Sequence, residues 1–471
     1  MENKLNTKRK VFIRTLGCQM NKLDTALITA ALKEAGFKIT ESEKDADVVL
    51  INTCSVRQHA EERVLSHLGN LSHIKETRPD MVVGVIGCMA QRLSDKLLEH
   101  KAVNIVCGPA QIPQIATLVS KALREKKKTV AVTAKIRQPV EEQLQTFEEF
   151  ESAYGLEDRQ IPGQAFVRAM HGCNKFCSFC IVPYVRGPEV CRPPEAIIGQ
   201  IKKLAESGVK QVTLLGQRVN AYKYISGEKT YCLADLLSTA SNIEGIEWIK
   251  FVTSYPAEEF FDEIVRAMAD LPKVCHYLHI PAQSGSDKIL RAMNRHYTAS
   301  RYLELLDKAR SIVPDIAIAG DFIVGFPGET EEDFAATVEL VKKAGYKNSF
   351  IFKYSPRPGT RLYRNGKSLE DDVPAEVKQR RNIEMLAVQE KISDRLSREF
   401  LGKEVKVLVE GLSKKAHQIS KDSASGPQLM GRTDEDWIVV FNGPPSLAGE
   451  FVKVKITKTS PLTLFGQLIT E

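Results

Sequence analysis

The stretch His171–Pro183, HGCNKFCSFCIVP, holds Cys173, Cys177 and Cys180 in a C-x3-C-x2-C spacing. Three thiolates from one short loop are too few for a closed tetrahedral zinc site, which takes four ligands. They suit a cubane iron–sulfur cluster, in which three irons take one thiolate each and the fourth stays open to a small chelating ligand. Cys191, beyond YVRGPEV, is the nearby thiol that would complete a four-cysteine set.

A second set is spread over the first part of the chain. Cys18 follows the apolar run VFIRTL, Cys54 follows DVVLIN and Cys88 follows VVGVI. Each run reads as a strand. In a parallel sheet the carboxyl ends of the strands share one edge, where sites assemble. Cysteines spaced about 35 residues apart, one per strand–helix unit, therefore converge at that edge. Gly17 and Gly87 allow tight turns beside a bulky group. Cys107, in NIVCGP, also follows a strand and competes as a ligand on pattern alone. Cys232 and Cys275 lie within later apolar segments and read as core residues.

The elements that must position these thiols form an α/β chain. Strands are expected at Val11–Leu16, Asp47–Thr53, Met81–Ile86 and Val103–Val106, with helices at Lys22–Gly36 and Ala60–Lys75, giving a parallel α/β domain over residues 9–124. Residues 125–158 run from basic to acidic with weak periodicity and read as a linker. A second strand–helix series occupies 159–396, with strands at Ala165–Met170, Gln211–Leu215, Trp248–Thr253, Tyr277–Ile280, Ile316–Val324 and Ser349–Tyr354. Six such units predict a partial (β/α)6 barrel with its site at the carboxyl ends of the strands. A charged helix, Pro374–Arg398, follows, and residues 398–470 alternate with period two, as in a small all-β barrel.

Composition is globular, with 43% hydrophobic and 27% charged residues, and a net charge of +7 permits a polyanionic partner without identifying one. No apolar run reaches a membrane span, and the N-terminus lacks the pattern of a signal peptide. A cytoplasmic protein is expected, in which the ten cysteines are ligands or core residues rather than disulfides.

C-x3-C-x2-C with Phe179 before the last cysteine, at the first strand of a (β/α) barrel, resembles the radical SAM superfamily. The ordered motifs TLGCQMN, INTCSVR, GCMAQR, GCNKFCSFCIVPYVRGPEV, LLGQRVNAY, HIPAQSGS and DFIVGFPGETEEDF resemble the methylthiotransferase family, and within it the MiaB-type tRNA enzymes. The resemblance implies two [4Fe-4S] clusters, one on Cys173, Cys177 and Cys180 with S-adenosyl-L-methionine on its open iron, and an auxiliary one on Cys18, Cys54 and Cys88. Cys107 falls outside that pattern, and Cys191 stands where serine is more usual before the Arg-Pro pair.

By the same resemblance the chain replaces the C2 hydrogen of N6-isopentenyl (dimethylallyl) adenosine 37 of tRNA by a methylthio group. That C–H offers no handle to polar chemistry, whereas a carbon radical can abstract the hydrogen and a sulfur-bearing cluster can deliver the sulfur. The implied partners are the tRNA anticodon loop, an electron donor such as a flavodoxin or ferredoxin, and a sulfur source, with the chain acting as a monomer. Alternatives are the same chemistry on threonylcarbamoyl-adenosine, methylthiolation of a ribosomal-protein aspartate, or a non-enzymatic iron–sulfur RNA-binding regulator.

The loops after the second to fifth barrel strands would hold the adenosyl and methionine groups: Gly216 and Gln217, Thr253 and Ser254, Gln283 and Ser284, and Gly325 and Glu329. GFPGET also reads as a turn into a helix capped by Thr330 with Asp333 three residues on. Arg14, Asn21, Asn52 and Arg186 lie beside cysteine loops and are expected as hydrogen-bond donors to cluster sulfides or to a nucleotide. GRTDEDWIVVF and SPLTLFGQL resemble the TRAM domain, an RNA-binding β-barrel. From Arg398 onward ten Lys and Arg face nine Asp and Glu, so charge balance alone does not predict RNA binding. By that resemblance Trp437, Phe441, Lys453 and Lys455 are the candidate contacts, with core packing the default for Trp437 and Phe441.

Overall fold

A computed structural model describes residues 9–55, 58–133, 136, 141–152, 161–256, 259–363, 371–413 and 426–469. The chain divides into two compact units. The first comprises Met1–Gln160, Met170–Arg192 and Arg357–Arg361; the second comprises Ile161–Ala169, Pro193–Pro356 and Leu362–Glu471.

The first unit is built on a six-stranded parallel sheet, in the order Lys38–Ile39, Lys10–Leu16, Val48–Thr53, Val82–Gly87, Ile105–Cys107 and Thr129–Ala131. The central strands VVLINT and VVGVIG are buried throughout, as strands covered on both faces must be. The helix Gln19–Glu34 starts three residues earlier than the apolar pattern suggests, because Cys18 itself serves as its N-cap. The segment read as a linker is a correction. Its Thr129–Ala131 pairs with Ile105–Cys107 as the sixth strand, and Glu141–Ser152 is helical with Phe150 buried. A three-residue edge strand is too short to leave a periodic signal.

The loop Met170–Arg192 belongs to this unit, although it follows the first barrel strand in sequence. Its base is a short antiparallel pair in which Met170 faces Cys191 and His171 faces Val190. Its closing residue, Arg192, is buried and makes a bidentate ion pair with Glu148 of the helix Glu141–Ser152.

The second unit holds six parallel strands in chain order. Gln164–Arg168, Gln211–Leu215 and Trp248–Phe251 form one three-stranded sheet, and Tyr277–His279, Ala317–Val324 and Asn348–Lys353 form another. A parallel bridge between Ile249 and Val274 joins them into an open (β/α)6 array. Between the second and third strands lies an antiparallel hairpin, Lys223–Ser226 with Lys229–Cys232, that the sequence pattern did not suggest.

The helix Ala375–Arg398 leads into a closed five-stranded barrel whose core contains Val407, Leu429, Trp437, Phe441, Val454 and Leu464. Trp437 and Phe441 are thus core residues, as expected, while Lys453 and Lys455 alternate with buried Val454 and Ile456 and face solvent. Among the described residues no helix is long and apolar enough to cross a membrane.

Candidate iron–sulfur and S-adenosylmethionine sites

Strand register explains which thiols meet. Leu16 pairs with Thr53, and Thr53 with Gly87, so Cys18, Cys54 and Cys88 leave three adjacent strands at one edge. Cys107 is the last residue of its strand, in register with Ile86 and 0% exposed. It stops short of the edge that Cys88 passes. Burial pushes its thiol far up, the state of a small core residue.

Two asparagines wire the edge together. The Asn21 Oδ1 accepts from the Cys18 backbone N–H and from its Sγ, both at 3.3 Å. Asn21 Nδ2 donates to Asn52 Oδ1 and to the Thr53 carbonyl, each at 3.0 Å. Asn52 Nδ2 donates in turn to the Asn21 carbonyl at 2.9 Å and to Thr25 Oγ1 at 3.0 Å. Both residues are 0% exposed. Their amides are therefore spent inside the protein, and the expectation that they serve a cluster or a nucleotide is corrected. Arg14, whose side chain is 40% exposed, reaches Glu43 at 3.4 Å and His67 Nδ1 at 3.5 Å.

Glycine is required twice here. A Cβ on Gly17 would stand 2.3 Å from Asn21 Oδ1. Gly87 has φ +94°, and its Cβ would meet the Thr53 carbonyl at 2.6 Å.

Arg186 lies against a thiol rather than in solvent. Its Nε donates to Cys88 Sγ at 3.3 Å and its Nη2 to Asp24 Oδ2 at 2.8 Å. A hydrogen bond from Cys54, with the Arg186 charge behind it, draws the Cys18 thiol down to about 6 against the effect of burial. Burial raises the Cys88 thiol, and Arg186 opposes that rise. Cys88 also packs against Ile181, next after Cys180, and against Val185.

The loop carrying the other three cysteines is folded around its own backbone. Cys173 N–H donates to the Gly187 carbonyl at 3.1 Å, and Cys180 N–H to the Cys177 carbonyl at 2.9 Å. Phe176 occupies the left-handed region at φ +49° and its ring meets Tyr184 edge-on, centroids 5.7 Å apart. Beside Cys54, the Glu61 carboxylate takes Arg92 at 2.7 Å and Arg357 at 3.4 Å, and Arg92 Nε also reaches Ser55 Oγ at 3.4 Å. Both three-cysteine sets thus lie in one compact unit. Among the described residues no three His, Cys, Asp or Glu side chains are gathered as ligands of a single metal ion.

The second unit carries the other expected residues at the carboxyl ends of its strands. Gln217 Oε1 and Ser254 Oγ are buried polar atoms with no partner among the described residues. Thr253 and Gln283 both have φ +72°, strained backbone for side-chain-bearing residues, and both stand just beyond strand ends. Ser284 is occupied elsewhere, within 3.2 Å of Thr337 Oγ1 and accepting from Ser286 N–H at 3.2 Å, so it seats the following helix. Glu329 is buried: it accepts from Gly325 N–H at 2.6 Å and from Arg381 Nη1 at 2.7 Å, which fixes the glycine loop. Its other oxygen, Oε1, is an orphaned acceptor. Thr330 caps the next helix with Asp333 at N3, as expected.

Comparisons with known proteins bear on these sites directly. Residues 10–108 match the family described as Uncharacterized protein family UPF0004, residues 167–341 the Radical SAM superfamily and residues 398–469 the TRAM domain. The tRNA-2-methylthio-N(6)-dimethylallyladenosine synthase of Rhodopirellula baltica is 41% identical, over 99% of this chain and 97% of its own length. The protein of that name from Thermoanaerobacter sp. is 42% identical, over 97% of this chain and 92% of its own. The chain belongs to this family. A solved radical S-adenosylmethionine methyltransferase, TsrM from Kitasatospora setae, shares the fold at a TM-score of 0.51 over 73% of each chain, with 16% identity.

For a synthase of this family the residues present fit the implied groups. Three thiols at one sheet edge, one of them already acidic and another receiving an N–H···S bond, suit an auxiliary cluster. The orphaned Gln217 and Ser254 oxygens suit a polar ligand at the barrel's strand ends. Sequence reasoning missed Asp24, Glu61, Arg92 and Arg357. Asp24 had a signal: it falls within the apolar stripe Met20, Leu23, Leu27, where an unpaired carboxylate would be costly. It also missed Asn220, whose side chain exchanges two 2.8 Å hydrogen bonds with the Tyr255 backbone and ties two strand-end loops together.

Proposed function

We propose that this chain adds a methylthio group to C2 of N6-dimethylallyladenosine at position 37 of tRNA. Full-length likeness to synthases of that name supports the reading, and one observation carries it: both three-cysteine sets lie in the same compact unit. An enzyme that only made a radical would need one such set.

When bound, two [4Fe-4S] clusters and S-adenosylmethionine supply the one-electron chemistry and the sulfur that an unactivated adenine C–H demands. The protein's own part is holding and excluding. Cys173, Cys177 and Cys180 hold one cluster and leave a position open, and Cys18, Cys54 and Cys88 hold the other, with Cys107 and Cys191 outside both sets. Gln217 and Ser254 offer polar atoms to the cofactor, with Thr253, Gln283, Gly216 and Gly325 shaping the loops around it. Ser284 and Glu329 act behind them, by keeping those loops in place.

Lys453 and Lys455, exposed on the C-terminal barrel, take RNA phosphates and so position the substrate without reading its bases. The target base must leave its stack to reach the chemistry, which is cheapest in a single-stranded loop. The parallel-sheet unit then acts as the cluster module, the open (β/α)6 array as the cofactor module and the C-terminal barrel as the RNA module. Thiols that hold clusters suit a reducing cytoplasm, where a flavodoxin- or ferredoxin-like donor and a sulfur source would serve a monomeric enzyme. The test is mass spectrometry of tRNA nucleosides from a strain lacking the protein. The 2-methylthio derivative should vanish and its dimethylallyl precursor accumulate; an unchanged derivative would overturn the reading.

A further inference from the structure

Arg186 is an unusual side chain to find where it is. Its side chain is 7% exposed and its partner Asp24 is 3% exposed, so both charges have been taken out of water. Such a pair is weak evidence for stability, since hydrophobic replacements often do as well. Its geometry points elsewhere. The Arg186 guanidinium is a fork: Nη2 is held by Asp24 at 2.8 Å, and Nε is thereby aimed at Cys88 Sγ at 3.3 Å. Asp24 is bonded to the guanidinium and not to the sulfur, so the charge in direct contact with Cys88 is the positive one. Arg186 also sits in the loop that contains Cys173, Cys177 and Cys180, six residues after the last of them.

We infer that Asp24 and Arg186 form a positioning pair that fixes the Cys88 sulfur and sets the reduction potential of the cluster on Cys18, Cys54 and Cys88. The inference rests on the reading that these three cysteines hold a cluster. An N–H···S bond and a nearby positive charge both favour the more negative, reduced state and raise the potential. The two members of the pair therefore act with opposite sign. Removing the Arg186 charge should lower the potential. Neutralising Asp24 while keeping the arginine should raise it, by less, because only the arginine also donates a hydrogen bond to the sulfur. A pair that merely supported the fold would not produce shifts of opposite sign.

The experiment uses the full-length chain with Cys173, Cys177 and Cys180 replaced by alanine, so that only the auxiliary set can load. It is reconstituted anaerobically with iron and sulfide. Iron content and the electron paramagnetic resonance spectrum of the reduced protein establish loading, and a redox titration gives the midpoint potential. Arg186→Gln should shift that potential downward and Asp24→Asn upward, with Arg186→Lys falling between Arg186→Gln and the parent. Potentials that stay at the parent's value, or that move in the same direction in Arg186→Gln and Asp24→Asn, overturn the inference. If Arg186→Gln loads no iron, Arg186→Lys and Asp24→Asn decide the matter by the same signs. A parent that takes up no cluster overturns the reading of the three cysteines, and the inference with it.

Discussion

Asn21 and Asn52 hold each other from neighbouring elements: the Asn21 side chain donates to Asn52 Oδ1 at 3.0 Å, and the Asn52 side chain donates to the Asn21 carbonyl at 2.9 Å. This exchange ties the Cys18 turn to the strand that ends at Thr53, one residue before Cys54. It follows that the thiols are spaced before any cluster arrives.

Asn52→Ala should break this arrangement. It leaves Asn21 and Thr25 with unmet buried bonds, which costs about 1–3 kcal/mol. Chemical unfolding of the apoprotein should show that loss, and reconstituted protein should carry less iron. Full iron loading in Asn52→Ala would mean the cysteines need no such wiring.

Cys107→Ala should retain the parent's iron, since that thiol is buried in register with Ile86, two residues short of Cys88. Cys88→Ala should lose the auxiliary cluster's share and keep reductive cleavage of S-adenosylmethionine. Cys177→Ala should stop the cleavage. Iron analysis alongside assay of 5′-deoxyadenosine separates the three, and equal iron loss in Cys107→Ala and Cys88→Ala would displace our ligand assignment.

Stability should rise with pH above neutrality through Lys347. Its ammonium is buried between Tyr277 and Trp437, 5.4 and 5.1 Å from their ring centroids, and that burial draws it down to about 7 against the pull of Asp436. An unfolded lysine titrates near 10.4, so between those values the unfolded chain binds more protons and folding gains by up to about 1.4 kcal/mol per pH unit. Lys347→Met should lack that gain. The chain's two tryptophans, Trp248 and Trp437, flank this network, and unfolding followed by their fluorescence at pH 7 and pH 9 would expose the difference. Identical pH dependence in parent and variant would refute it.

Lys453→Ala and Lys455→Ala should weaken tRNA binding without changing which tRNAs are preferred. Each should reduce the slope of log affinity against log salt by about 1 if its ammonium neutralises a phosphate. Filter binding across a salt series measures this, and an unchanged slope would remove these lysines from the RNA surface.

Features set by local chemistry were readable in the sequence. Cys18, Cys54 and Cys88 each follow an apolar run, and parallel pairing does the rest. Thr330 and Asp333 announce their helix in the same local way. What was hidden depends on distant pairing. Asp24 and Arg186 are 162 residues apart, and no window of sequence shows that they meet. Asn21 and Asn52 were misread for a related reason: a polar side chain beside a ligand looks available until its partner is known. The hairpin Lys223–Cys232 escaped because its strands are four residues each, and most of their side chains face water. With no core to fill, they carry little apolar alternation.

The division of the chain bears on how the protein must be made. The first unit draws on Met1–Gln160, then Met170–Arg192, and finally Arg357–Arg361. Synthesis from the N-terminus therefore leaves it incomplete until Arg361 of the 471 residues has left the ribosome. Arg357, which joins Arg92 on Glu61 beside Cys54, is among the last parts to arrive. Iron taken up by the nascent chain before Arg361 emerges would meet a half-built pocket, so insertion of the clusters belongs to the last part of synthesis or later.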